Sequence, residues 1–134
     1  MANALYPKWK QALLDFTANN DISAGTVKAA LVDTGTYTYS AAHDFYDDVS
    51  AAVVGTPQTI GTKTYTDGVF DGDNVTFSAV SGNTCEAIVI YIDTGVAGTS
   101  PLVAYIDTGV TGLPVTPNGG DINITWNASG IFAL

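Results

Sequence analysis

The tripeptide Asp-Thr-Gly occurs three times in this chain of 134 residues, beginning at Asp33, Asp93 and Asp107. One chemistry that uses this tripeptide is peptide hydrolysis by two carboxylates that lie about 3 Å apart in a cleft and share a proton. Asp-Thr-Gly is also good turn sequence, because Asp and Gly favour turn conformations. The chain is too short for a two-lobed protease, and its loops resemble no active-site flap. We therefore interpret all three copies as turns that end strands.

His43 is the single histidine, so a Ser-His-Asp arrangement would have to use it, and a metal cluster built on imidazoles is excluded. The neighbouring Asp44, Asp47 and Asp48 are placed to orient its ring. No nucleophile motif accompanies them. We therefore predict that His43 lies on a solvated helix face.

Three further carboxylates, on Asp67, Asp71 and Asp73, are close in sequence and raise the question of a bound calcium ion. Their spacing does not match the EF-hand loop, which needs alternating oxygen ligands, a central Gly and a closing Glu. The sequence leaves open whether a cation binds there.

The residue types on which most enzyme sites depend are scarce, with one His, one Cys, one Glu and no Arg. Cys85 has no partner for an intrachain disulfide, and beside an apolar strand it is most simply a small buried side chain. We find no glycine-rich phosphate loop and no Cys or His spacing typical of a metal site. We therefore expect a non-enzymatic protein without a cofactor.

The charge balance is strongly acidic, because 13 acidic residues face four lysines, for a net charge of −9. Nucleic-acid binding through a basic surface is therefore not expected. No apolar run approaches the roughly 20 residues that a membrane helix needs, and the start of the chain lacks the pattern of a signal peptide. We expect a protein without membrane contact that stays in the cytoplasm or leaves it within a larger assembly.

Two strand-forming runs, residues 87–92 and 102–106, each end at an Asp-Thr-Gly. The first run is apolar on both faces, which predicts the central strand of a covered sheet. The link between them, residues 93–101, is small and polar, and it predicts a hairpin loop. Residues 26–33 predict another strand of this kind.

The opening segment, residues 1–20, is predicted to be helical, with an amphipathic helix over residues 3–17. Its aromatic face is suited to packing on its own domain, which we favour, or to docking on a partner. A short second helix is predicted over residues 41–49, with Ser40 as its N-cap.

The remaining pattern predicts short strands separated by turns. Residues 58–61 and 62–66 are expected to be short or edge strands after a break at Thr56-Pro57, and Asp67-Gly68 is a strong hairpin turn. Further predicted strands are residues 69–71, 74–78 and 121–126, and the apolar end at 131–134 is expected to dock in a sheet. The sum is a single β-rich domain over residues 1–134, a β-sandwich or flattened barrel of about seven to eight strands with an N-terminal helix.

Several segments carry a resemblance to a known family. They include Glu86-Ala-Ile-Val-Ile-Tyr91 and Leu102-Val-Ala-Tyr-Ile-Asp107, with residues 1–6, 27–34, 68–71, 75–77 and 112–120. Through these residues nearly the whole chain resembles small structural proteins encoded by tailed bacteriophages and prophages. The resemblance supplies no catalytic residues and implies assembly into a virus particle.

Within that class we favour a capsid decoration (cement) protein, which binds the outside of the shell and stabilises it against packaged DNA. The implied partners are the major capsid protein and sister subunits, in a homo-oligomer for which a trimer is one option, assembled in the host bacterial cytoplasm. Two alternatives are a tail or head-to-tail component and a host-surface receptor or carbohydrate binder using exposed Tyr37, Tyr39 and Tyr46. The candidate partner contacts are Tyr6, Trp9, Phe16, Leu113, Pro114 and Pro117.

Overall fold

The largest element of the fold is a five-stranded antiparallel sheet with residues 87–93 at its centre. The computed structural model describes residues 3–134, and in that range it contains one α-helix, α1 (Pro7–Asp15), and nine strands. The strands are β1 (Ala4–Leu5), β2 (Thr26–Val32), β3 (Val53–Thr59), β4 (Val69–Phe70), β5 (Val75–Phe77), β6 (Ala87–Asp93), β7 (Leu102–Ile106), β8 (Ile122–Ile124) and β9 (Phe132–Ala133). The large sheet has the order β1-β7-β6-β2-β3.

β6 is the central strand that its sequence predicts. It pairs with β2 on one side and with β7 on the other, and its first six side chains are all buried. Burial of one isoleucine contributes about 1.5–3 kcal/mol, so Ile88 and Ile90 strongly specify the register, because a slip of one residue would reverse every side chain. The predicted hairpin of β6 and β7 is also confirmed, and its loop contains a 3₁₀ turn at Ala97–Thr99.

Aromatic side chains cover one face of this sheet. Tyr105 of β7 pairs directly with Val89 of β6, so their side chains share a face. The ring of Tyr39 lies 5.6 Å from that of Tyr105, and Tyr46 stacks on Tyr91 with ring centres 4.2 Å apart. The chain between β2 and β3 therefore forms a layer over this face.

Two small sheets, β5-β8 and β4-β9, complete the core. Phe77 and Ile124 of the first pair are fully buried. Phe132 of the second pair lies beside Ala104 and Ile106, which point to the face opposite Tyr105. The predicted mainly β fold with an N-terminal helix is confirmed. The flattened barrel is not, because the sheets remain separate and none of them closes.

α1 is shorter at both ends than the predicted helix over residues 3–17. Residues at the start of the predicted helix instead form β1, which pairs with β7. The cause is Pro7, which disfavours a helical residue before it, so Tyr6 is extended at φ −68 and ψ 124. Pro7 then occupies the first helical turn, and Trp9 packs edge-on against Phe132 at 5.7 Å. The helix ends because Phe16 adopts a left-handed conformation at φ 56.

The predicted helix over residues 41–49 is wrong. The hydroxyl of Ser40 does accept a hydrogen bond from the Ala42 N–H, at 3.2 Å. However, the N–H of Tyr46 donates to Ser100 O at 2.8 Å, and the N–H of Leu102 donates to Asp44 O at 2.9 Å. Because these bonds to the start of β7 compete with helical ones, only 3₁₀ turns at Tyr46–Asp48 and Ser50–Ala52 form.

β3 runs through Pro57, where the sequence predicted a break. A proline is tolerated because β3 is an edge strand, where a missing N–H need not break the ladder. Gly55 at φ 74 and a register shift against β2 mark a bulge. Residues 62–66 form no strand of their own, since only Thr64 bridges to the chain after the predicted Asp67-Gly68 turn.

The last strands follow the prediction closely. Ile122 and Ile124 are buried in β8, and Trp126 is buried just beyond it. The chain end docks in a sheet through β9, which pairs with β4. Within residues 3–134, none of the helical segments has the length and apolar character needed to cross a bilayer.

Candidate functional site

The three Asp-Thr-Gly copies do not meet at one place. Asp93 pairs with Thr26 at the start of β2, whereas Asp33 follows the end of that strand, so the two carboxylates lie at opposite ends of the sheet. Asp107 shares an end with Asp33 but follows a strand two positions away, which is about 10 Å. The arrangement therefore places no two of these carboxylates where they share a proton.

Each of the first two aspartates instead organises its own turn, as the sequence predicts. Asp33 Oδ1 accepts from the Gly35 N–H at 2.8 Å, and Asp93 Oδ1 accepts from the Gly95 N–H at 2.9 Å. The amide of Asn83, followed by the turn N–H, lowers the pKa of Asp33. The ammonium of Lys28, 2.7 Å away, lowers the pKa of Asp93.

His43 belongs to an internal hydrogen-bond chain, so its predicted position on a solvated helix face is wrong. Its Nδ1 lies 2.8 Å from the hydroxyl of Tyr37, which lies 2.8 Å from the hydroxyl of Tyr6. Burial raises the pKa of both tyrosines. The imidazole is half-buried in a packed aromatic layer, where its contact with Tyr37 helps to order the chain.

Cys85 is buried, as predicted. Desolvation raises the pKa of its thiol to about 11, with smaller contributions from the charges of Glu86 and Asp33. A thiol in this state is a poor nucleophile at neutral pH.

The carboxylates of Asp67, Asp71 and Asp73 do not converge. Asp71 Oδ1 accepts from the Gly72 N–H and Asp73 Oδ2 from the Thr62 hydroxyl. Across residues 3–134, no three His, Cys, Asp or Glu side chains are grouped closely enough to hold a metal ion.

Among residues 3–134, the most exposed large apolar side chains lie at the end of α1. Phe16 is 92% exposed and Leu14 is 84% exposed. Lys10 precedes Leu14 by four residues, so both lie on the same outward stripe of the helix. We call Lys10, Leu14 and Phe16 the α1 ridge. It combines apolar surface with a positive charge on a chain whose net charge is −9.

A groove of about 550 Å³ opens over the aromatic layer. Its floor is formed by Tyr39 and Tyr105, whose rings pack against each other at 5.6 Å. Thr38 and Pro114 lie exposed at its border, and Glu86 contributes a half-buried carboxylate. We call this site, lined by these five residues together with Thr34, Tyr37, Asp107 and Thr108, the tyrosine groove.

Two carboxylates, those of Glu86 and Asp107, line the groove. Glu86 Oε2 accepts from both the N–H and the hydroxyl of Thr34, each at 3.1 Å, which fixes the carboxylate at this edge. Burial, with the charges of Asp107 and Glu86, raises the pKa of Tyr105. An apolar or cationic group is therefore a better match for this groove than an anion.

The structure separates the predicted contact residues. Tyr6 and Trp9 are in the core, at 0% and 2% exposure, so they offer no surface to a partner. Phe16 is on the ridge and Pro114 on the groove border. Leu113 packs against the core, and Pro117 is half-buried outside the groove.

The aromatic residues expected of a receptor binder are also packed inward. Tyr37 is 4% exposed and therefore cannot act as a stacking platform for a ligand. Tyr46 is half-buried against Tyr91, and Tyr39 is half-buried against Tyr6 and Tyr105.

Sequence reasoning missed Leu14 and Glu86 as surface-site residues. Trp9 and Leu13 lie on the inward face of the helix, and Leu14 follows Leu13 by one residue, so helical periodicity places Leu14 outside that face. The sequence therefore did indicate that Leu14 is exposed. The position of Glu86 beside Tyr105 depends on the pairing of β6 with β7 and had no local signal.

No protein-family model matches this chain, and no curated protein matches it.

Proposed function

We propose that the chain is a non-enzymatic structural protein of a tailed-bacteriophage virion, specifically a capsid decoration protein bound to the outside of the shell. The virus assignment rests on the sequence resemblance. Two of its densest segments, residues 86–91 and 102–107, build the central strand and its neighbour. The third, residues 112–120, is tied to the same sheet by the bridge between Cys85 and Val115. The resemblance therefore concerns the residues that specify this fold.

The proposed contact with a partner rests on the α1 ridge. Phe16 and Leu14 each expose most of an apolar side chain, and this exposed area contributes nothing to the stability of the isolated chain. We propose that these two side chains form a site of protein contact. A decoration protein needs such a surface to hold its place in an assembly.

The residues with catalytic chemistry support a structural role. His43 is bonded to Tyr37, Cys85 is buried with a raised pKa, and Asp33 and Asp93 hold turns. Each of these groups is engaged in maintaining the fold.

The proposal is tested with particles of the encoding phage or prophage assembled without this chain. Purified chain added to these particles should co-sediment with them and raise the temperature at which they release DNA. Phe16→Gly should weaken binding at least about tenfold, which corresponds to about 1.4 kcal/mol.

Val96→Ser is the matched control, because Val96 is also apolar and 60% exposed but lies on the hairpin between β6 and β7. It should bind as the unmodified chain does. Failure of the unmodified chain to bind particles would contradict the decoration role.

A further inference from the structure

The two surface features of this chain are complementary in charge and in polarity. The α1 ridge presents two apolar side chains and the ammonium of Lys10, whereas the tyrosine groove presents an aromatic floor and the carboxylates of Glu86 and Asp107. They share no residue, so a chain has both available at once.

The distribution of the lysines makes the ridge distinctive. Lys28 is paired with Asp93 at 2.7 Å, and the Nζ of Lys63 donates to the carbonyl oxygens of Ile22 and Gly25 at 2.9 and 2.6 Å. The other two of the four lysines, Lys8 and Lys10, are exposed on α1. α1 therefore carries the positive charge that this acidic chain can offer to another acidic surface.

We propose that the α1 ridge of one copy docks in the tyrosine groove of a second copy. Phe16 and Leu14 lie against the half-buried ring of Tyr39 and the exposed Pro114, and Lys10 approaches Glu86 at the border. This arrangement has an apolar centre with a charged rim, as stable protein interfaces do.

The groove is suited to receive a side chain without rearrangement. Tyr39 packs on both Tyr6 and Tyr105, with ring centres 5.1 and 5.6 Å apart, and the hydroxyl of Tyr6 is bonded to that of Tyr37. Because the floor is already ordered, docking orders few additional side chains, which lowers its entropic cost.

The contact joins different surfaces of the two copies. The assembly is therefore either a two-fold dimer, in which the ridge–groove contact occurs twice, or a ring, in which each copy contributes one ridge and one groove. This inference goes beyond the proposed function and concerns the purified chain alone. When the ridge is docked in a sister copy, the weaker particle binding expected for Phe16→Gly follows from the loss of that association.

The test is sedimentation velocity of the purified full chain, from about 1 μM to about 1 mM. The unmodified chain should gain mass with concentration. Phe16→Gly removes the aromatic side chain of the ridge, and Thr38→Lys places a long cation at the exposed border of the groove. Each variant alone should associate at least about tenfold more weakly, and Val96→Ser should associate normally.

An equal mixture of the two variants gives the sharpest result. Thr38→Lys keeps an intact ridge and Phe16→Gly keeps an intact groove, so the mixture should form pairs of one copy of each and nothing larger. A mixture that stays monomeric would overturn the inference, as would an unmodified chain that is monomeric at every concentration. A monomeric chain that still binds phage particles would overturn this inference and leave the decoration proposal standing.

Discussion

Replacing Phe16 by glycine should leave the isolated chain as stable as before or slightly more stable. Phe16 occupies a left-handed backbone position at φ 56 at the end of α1. This conformation costs an L-residue about 1–2 kcal/mol, and glycine adopts it without strain. The change therefore removes strain from the folded state.

Two opposing contributions are small enough to estimate. Phe16 is 92% exposed, so the ring buries roughly 16 Å² of a side chain of about 200 Å², which contributes about 0.4 kcal/mol. Glycine also raises the entropy of the unfolded chain, at about 0.4–1 kcal/mol. The net change in the free energy of unfolding should lie between about −0.4 and +1.2 kcal/mol, where a positive value favours Phe16→Gly.

The assay is urea unfolding at low protein concentration, where the chain is monomeric. Phe16→Ala is the matched variant, because it removes the ring but keeps the left-handed strain, so Phe16→Gly should exceed it by up to about 1 kcal/mol. A loss of more than about 1 kcal/mol in Phe16→Gly would refute the reasoning, because it would mean that the ring packs against the monomer.

Three further predictions follow from the buried groups. Tyr37→Phe should lower the free energy of unfolding by about 1–3 kcal/mol, measured in urea, because it removes the hydroxyl that pairs with buried Tyr6; Tyr65→Phe, at a 41% exposed position, should change little. Cys85 should remain unmodified by a thiol reagent at pH 8 in the native chain and react after unfolding, since burial raises its pKa to about 11; rapid reaction in the native state would contradict this. Stability should fall as pH rises above about 10, because tyrosines lose protons there when unfolded, whereas burial raises the folded pKa of Tyr6 and Tyr91; most of the tyrosine absorbance change measured against pH should coincide with unfolding, and ionisation of most tyrosines well before unfolding would contradict the burial.

The central hairpin was predictable because its signals are local. An uninterrupted apolar run requires cover on both faces, which only a central strand provides. Asp-Thr-Gly then marks the strand end, since an aspartate oxygen bonds to the N–H two residues later. In β6 both signals lie within nine consecutive residues, 87–95, and need no information from the rest of the chain.

The helix was predicted with the correct face but with the wrong ends. Pro7 was recognised as a first-turn residue, yet its effect on Tyr6 allowed β1 to form before it. The left-handed end at Phe16 has no glycine or asparagine to mark it. That one backbone torsion turns Phe16 away from the core and creates the ridge.

The tyrosine groove was beyond sequence reasoning. Its floor and border come from the chain after β2, the residue before β6, the end of β7 and the later loop that contains Pro114. They meet only through the pairing of β6 with its two neighbours. The spacing of residues in the sequence does not predict how β6 pairs with β2 and β7.

The most direct test of the central claim is the number of copies of this chain in purified virions, counted against the major capsid protein. A decoration protein should be present at about one copy per shell subunit or per few subunits. A few copies per particle would place the chain in the tail or neck, and complete absence from virions would contradict the assignment to the particle.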